Sequence, residues 1–261
     1  MLDWTAYGLS FAAILAVAAV FWLISLVRND VSIVDSLWSI MFLLMLGLYM
    51  SMGDLSGARA WLLLVMVAVW AVRLSAFITI RNHGEPEDHR YQTIRKNNEP
   101  NFRVKSLFIV FGLQAVLAGF IALPLLFAAS SAAPLGWFDL IGVTLWLTGM
   151  YFEVVGDQQL TNFRSNPDNK GKVLNTGLWS LTRHPNYFGD FCIWWGFYLF
   201  ALSAGGWWTI FAPLLMSFLL LKVSGVAMLE KDIGERRPEY AAYVRETNAF
   251  FPGPRKKGVQ S

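Results

Sequence analysis

Cysteine is almost missing. Cys192 is the only one, so no internal disulfide can form, and its apolar surroundings in the sequence read as those of a small buried hydrophobe. Histidine is nearly as scarce. His83, His89 and His184 lack the spacing and companion ligands of a zinc site, and no metal is expected. Charged residues make up 15% of the 261, against about a quarter in soluble domains, and the net charge of +3 implies no nucleic-acid partner. The opening Met1-Leu-Asp-Trp has no basic segment, and the apolar run after it outlasts a signal core, so a cleavable signal is not expected. No inverted repeat is evident, which argues against a transporter.

Apolar residues fill the space that charge leaves: 56% of the chain is hydrophobic, with 20 Phe and 12 Trp. That composition predicts an all-α polytopic membrane protein. Seven windows long enough to cross a hydrocarbon core run 7–27, 33–50, 60–80, 107–128, 137–155, 186–202 and 207–226. With the N-terminus outside, 18 of the 21 Lys and Arg fall on the inner side, Arg59 falls outside, and Arg73 and Lys222 fall within spans. The C-terminus and all sizeable polar surface are therefore expected to face the cytosol. Residues 1–252 are read as one transmembrane domain and 253–261 as a basic disordered tail that touches anionic lipid.

Unusual chemistry concentrates in Gly177-Leu-Trp-Ser-Leu-Thr-Arg-His-Pro-Asn-Tyr-Phe-Gly-Asp190. Pro185 suits a first helical turn and Thr182 suits a cap, so a helix is expected from Asn186. Asn186, Tyr187 and Asp190 then share neighbouring faces of its opening turns, with Arg183 and His184 just outside. A helix start beside basic side chains favours an anionic ligand. An interfacial arginine with capping residues accounts for Arg183 and Pro185, but not for an amide and a carboxylate inside an apolar segment.

Other candidates lie at the same membrane side. Asp35 and Arg73 fall at comparable depth, Arg73 roughly 10 Å inside its span, and read either as an ion pair pinning two helices or as catalytic groups. In the large loop expected over 81–105, Glu87 to Tyr91 gathers two acids, a His, an Arg and a Tyr beside the membrane. Gly112 and Gly119, and Gly142 and Gly149, are spaced for close helix packing. Glu153, Asp157 and Arg164 form one stripe if the fifth helix continues beyond the membrane face, as internal salt bridges or as partners for ribose hydroxyls and a phosphate. Tyr240 and Tyr243 share a face of an amphipathic interfacial segment.

Arg183-His-Pro-Asn-Tyr-Phe-Gly-Asp190, followed by Leu229-Glu230 and by Arg237-Pro-Glu-Tyr-Ala-Ala-Tyr243 up to Phe-Phe-Pro252, resembles the DUF1295 branch of the steroid 5-alpha-reductase superfamily. Sterol reductases and isoprenylcysteine carboxyl methyltransferases are among its relatives. The resemblance implies an enzyme of a bacterial inner membrane with a cytosol-facing cofactor cleft. It places Asp157 and Arg164 at the adenosine-phosphate part of NADPH, Glu153 beside them, and Asn186 and Asp190 near the nicotinamide. Arg183 and Arg236, beside the phosphates, with His184, Tyr187, Glu230, Tyr240 and Tyr243, complete the expected cofactor set. The reductases engage a substrate carbonyl through a Gln-Glu pair and a Tyr, where the nearest residues here are Asp35 and Trp70.

The expected activity is NADPH-dependent reduction of a carbon–carbon double bond in a steroid-like or isoprenoid-like enone drawn from the bilayer. Protonated Asp35 is the expected donor to the carbonyl and Tyr91 the second choice. Methyl transfer from S-adenosylmethionine to a lipid or lipidated acceptor is the alternative, and a membrane transporter or scaffold the third.

Overall fold

A computed structural model of the chain describes residues 2–53, 57–223 and 240–256. Among them every regular element is helical. Five helices among the described residues are long and apolar enough to cross a membrane: α1 (Trp4–Arg28), α2 (Ile33–Met52), α3 (Ala58–Asn82), the broken helix α5 (Phe102–Ala129) and α6 (Trp137–Ser165). A short polar helix, α4 (His89–Asn98), precedes α5. The sixth expected span is helix α7 (Pro185–Ser203), whose opening turns carry Asn186, Tyr187 and Asp190 and lower its hydropathy. The seventh is the shorter apolar helix α8 (Trp207–Val223), and a brief α9 (Tyr240–Glu246) follows. The chain is a multi-pass membrane protein.

Local signals account for the boundaries. The Asp3 carboxylate caps α1 by accepting from the Thr5 and Ala6 N–H groups, and Asn29 ends it in the left-handed conformation at φ 52°. Asp88 caps α4 by accepting from the Arg90 N–H at 2.9 Å. That helix went unforeseen in a stretch expected to be loop, because its faces are polar and only Tyr91 is buried. Pro185 opens α7 as expected, but Thr182 lies ahead of the first turn: its hydroxyl donates to the Phe250 carbonyl at 2.8 Å and accepts from the His184 N–H at 3.3 Å.

The chain divides into two compact units. In the first, Met1–Leu135 with Ala201–Thr209, α2 packs against α1 and α3 around Met41, Phe42, Met45, Tyr49 and Trp70. Arg59 is only 1% exposed there. Its guanidinium donates to Ser131 Oγ, the Ala133 and Pro134 carbonyls and Ser203 Oγ at 2.9–3.2 Å. Counted in the sequence as an outer surface charge, it is a buried fastener. Arg59→Leu leaves those acceptors unsatisfied and is expected to cost about 3 kcal/mol, read as a fall in the thermal midpoint in detergent; Arg59→Lys recovers part of it, lacking the planar fork.

In the second unit, Gly136–Phe200 with Ile210–Ser261, α6 and α7 meet backbone to backbone. A methyl group on Gly142 would lie 2.9 Å from the Gly196 carbonyl oxygen, and one on Gly149 would lie 2.5 Å from that of Gly189. Gly156, seven further on, faces the Pro185 ring. The packing expected of Gly142 and Gly149 is thus a seam of small residues on both helices. Gly119 also packs closely, against the Phe11 ring, whereas Gly112 faces the Leu107 carbonyl of its own helix.

Candidate functional site

Among the described residues each unit brings expected site residues together in a polar cluster built from its own elements. In the first unit Asp35, in the opening turn of α2, has its ion pair with Arg90 of α4 rather than with Arg73. Arg90 Nη2 lies 2.7 Å from Asp35 Oδ2, while Arg73 lies over the Phe77 ring. The Tyr91 hydroxyl donates to Asp35 Oδ1 at 2.6 Å. Asp35, expected as a protonated donor, accepts at both oxygens, and in this pair of expected catalytic residues it is the Tyr91 hydroxyl that donates. The physical reason is α4, which turns Arg90 and Tyr91 together onto one carboxylate. Burial, and then the Asp35 charge, push the Tyr91 phenol well above its usual range, partly opposed by Arg90 and Gln114. It therefore stays protonated at neutral pH.

Two arginines anchor this arrangement. Arg90 also binds Asp88 at 3.0 Å; burial pushes that carboxyl up, but Arg90 outweighs it and holds it below the usual range. Arg95 pairs with Glu87 at 2.7 Å, and Glu87 in turn accepts from the Val31 N–H at the α1–α2 turn. Trp70, the nearest counterpart to a reductase tyrosine, is a fully buried core residue against Phe42. Gln114 of α5, not singled out in the sequence, donates to the Tyr91 oxygen at 3.1 Å. The signal was available: a lone amide in an apolar span needs a partner.

In the second unit α6 does continue to Ser165, so Glu153, Asp157 and Arg164 ride one helix. Glu153 and Asp157 are 2% and 4% exposed, and Arg164 is exposed at the polar end. The Asn186 amide donates to Asp157 Oδ1 at 3.2 Å, and Glu153 passes over Gly189, next to the buried Asp190. Four of the expected cofactor residues thus gather where α6 meets the start of α7. The His184 and Tyr187 rings stack at 5.8 Å.

Arg183 is used differently. It is 8% exposed, and its Nη1 donates to the Val244 and Thr247 carbonyls at 3.2 and 2.8 Å, at the end of α9. Its own N–H donates to the Asn248 carbonyl at 3.0 Å. Tyr243 likewise spends its hydroxyl on the Trp179 carbonyl, with its ring edge-on to Tyr240 at 5.7 Å. The Trp179 indole bonds the Gly156 carbonyl and Gln159 accepts from the Leu178 N–H, two fastenings the sequence did not disclose. In the expected basic tail, the Gly253 and Lys256 N–H groups donate to the Leu181 and Glu246 carbonyls. Glu230 and Arg236 lie outside the described residues.

A model of a family described as a protein of unknown function, DUF1295, matches residues 21–247. An uncharacterized protein of Schizosaccharomyces pombe is 27% identical over 266 aligned positions, covering 89% of this chain and 76% of its own length. The bacterial membrane expected from the resemblance is thus not what this relative supports, since it is fungal. The 3-oxo-5-alpha-steroid 4-dehydrogenases 1 of Homo sapiens and Rattus norvegicus are 39% identical over 67 residues and 35% over 83. Those segments are 26% and 32% of this chain, and 26% and 31% of the dehydrogenases, so it is matched over less than a third of their length. No solved structure matches it significantly. Since the family model spans most of the sequence and takes in both polar clusters apart from its last few residues, the chain belongs to the DUF1295 family.

Proposed function

We propose that this protein is a membrane oxidoreductase that reduces a carbon–carbon double bond conjugated to a carbonyl in a lipophilic molecule, with NADPH as the reductant. The observation that carries the reading is the buried Tyr91 hydroxyl, held at 2.6 Å by Asp35. A neutral donor of this kind serves a reaction in which negative charge builds on oxygen, whereas methyl transfer to a carboxylate needs none. Similarity to the steroid dehydrogenases supports the same class.

The second cluster suits a nucleotide. Asp157 and Asn186 offer an acceptor and an amide at the start of α7, and Arg164 offers a guanidinium for phosphate. Arg183 is left out of that set, its Nη1 being turned to backbone carbonyls. NADPH would supply a hydride to the β carbon. Within the first unit, Tyr91 would shift its hydrogen bond from Asp35 to an oxygen that gains negative charge, and Asp35, paired with Arg90, would take it back. The saturated carbonyl is completed by a proton at the α carbon, drawn from water. Entry of the nucleotide from the cytosol and of the substrate from the bilayer belongs to the same proposal.

One observation favours a second reading. Glu153, Asp157 and Asp190 are all buried near the start of α7, and carboxylates there also suit the cationic sulfonium of S-adenosylmethionine. Thermal-shift titration of the full chain in nanodiscs with NADPH, NADH and S-adenosylmethionine separates the two. NADPH is expected to stabilise, and Arg164→Ala to weaken NADPH about tenfold while changing NADH less. Stabilisation by S-adenosylmethionine alone makes the protein a methyltransferase, and a response to none of the three removes both readings. Tyr91→Phe is expected to keep nucleotide binding and lose roughly 100-fold or more in NADPH-driven reduction of an enone probe such as a 3-oxo-4-ene steroid.

A further inference from the structure

We propose that Gln114 is a positioning residue that aims the Tyr91 hydroxyl, and that the wide helical turn before it exists to bring it there. This rests on the reading of Tyr91 as the donor.

The geometry starts in α5. Its first turn, Phe102–Ser106, gives way to a π-helical stretch, Leu107–Gly112, and α-helical winding resumes over Leu113–Ile121. A π turn holds one extra residue, so everything after it is rotated by roughly 100° from where a continuous α-helix would carry it. Gln114 is the second residue after that shift. Gly112 is what allows it: a methyl group there would lie 2.9 Å from the carbonyl oxygen of Leu107, the first residue of the wide turn. The pairing of Gly112 with Gly119 as packing residues in the sequence thus separates into two tasks.

Gln114 then meets Tyr91. Its Nε2 donates to the phenol oxygen at 3.1 Å while the phenol proton is committed to Asp35 at 2.6 Å. A phenol oxygen that accepts on one side and donates on the other has its O–H direction set, where a single bond would leave it free to swing. The amide also cannot take the proton away, because it offers N–H to that oxygen. It thereby supports the charge that builds on the oxygen whenever the proton leaves. The charged groups facing Tyr91 are Asp35 on α2 and Arg90, whose guanidinium lies 5.6 Å from the ring centroid. Asp35 opposes loss of the proton and Arg90 and Gln114 favour it. A polar side chain inside a span is costly unless it has such a partner.

The test places 3,5-difluorotyrosine at position 91 of the full chain in nanodiscs and follows its titration by fluorine NMR, with no need of the natural substrate. Gln114→Leu is expected to raise the midpoint by about one pH unit and broaden the resonance. Gly112→Ala, which leaves the amide in place but sets a methyl group against the Leu107 carbonyl and so disfavours the wide turn, is expected to reproduce part of that shift. If both folded variants titrate with the parent's midpoint and linewidth, the proposal is overturned. A second measurement keeps it separate from the nucleotide reading: Gln114→Leu should lower kcat on the enone probe and leave the equilibrium affinity for NADPH unchanged. Loss of NADPH affinity with an unmoved titration would likewise sink it. Failure of NADPH to bind the parent would refute the nucleotide reading while the titration still decided Gln114.

Discussion

Arg183→Met is expected to lower the thermal midpoint sharply, by the equivalent of about 3 kcal/mol, and to open the segment after Tyr240 to protease. The guanidinium donates to two carbonyls at the end of α9, and its backbone N–H donates to a third. Around it, Thr182 holds the Phe250 carbonyl, Gly253 holds Leu181, and Phe250 and Phe251 pack edge-on against Phe188 of α7. The Arg-His-Pro run is therefore clasped by the chain's last described residues, and methionine fills the volume without the donors. Arg183→Lys should recover little, since an ammonium cannot reproduce the spread of a fork. The alternative outcome is specific. A variant with the parent's stability and protease resistance that has lost only NADPH would make Arg183 the phosphate ligand expected from the sequence.

Gly149→Ala is expected to abolish the folded protein in detergent, or to reduce its yield severely, although it adds a single methyl. That methyl would lie 2.5 Å from the Gly189 carbonyl oxygen and 2.9 Å from the Ile193 backbone nitrogen. The obstacle is backbone, so no rotamer change relieves it. The helices must separate, which costs more than the about 1–3 kcal/mol typical of overpacking, and Glu153 and Asp157 on α6 would move away from Asn186 on α7. Gly47→Ala serves as the control. It has nothing within 4 Å of an added methyl and should be neutral or slightly stabilising. Size-exclusion of fluorescently tagged protein, with NADPH affinity on any folded fraction, checks both. A Gly149→Ala protein that is monodisperse and binds like the parent would show the seam to be looser than its geometry.

Periodicity made most of the scaffold legible in advance. Among the described residues helices occupy all seven apolar windows, because a backbone in hydrocarbon must satisfy its own hydrogen bonds and a run of that length can do so only as a helix. The stripe of Glu153, Asp157 and Arg164 and the pair Asn186 and Asp190 were equally readable, since spacing along a helix is a local property. What escaped was of two kinds. α4 has no apolar face to announce it, and the wide turn in α5 leaves no mark in composition.

Partner choice was the other gap. Depth along the membrane paired Asp35 with Arg73, yet its ion pair is with Arg90, 55 residues away in sequence. Arg183 looked like an anion ligand, and its Nη1 faces carbonyls of α9. The sequence by itself determined where the long apolar helices run and which residues are too polar for the membrane to leave alone, because both follow from transfer free energy and helical pitch. Only the tertiary structure decided which group answers which, because a buried charge must be met by whatever the packing brings within about 3 Å, and helical spacing says nothing of neighbours from elsewhere in the chain.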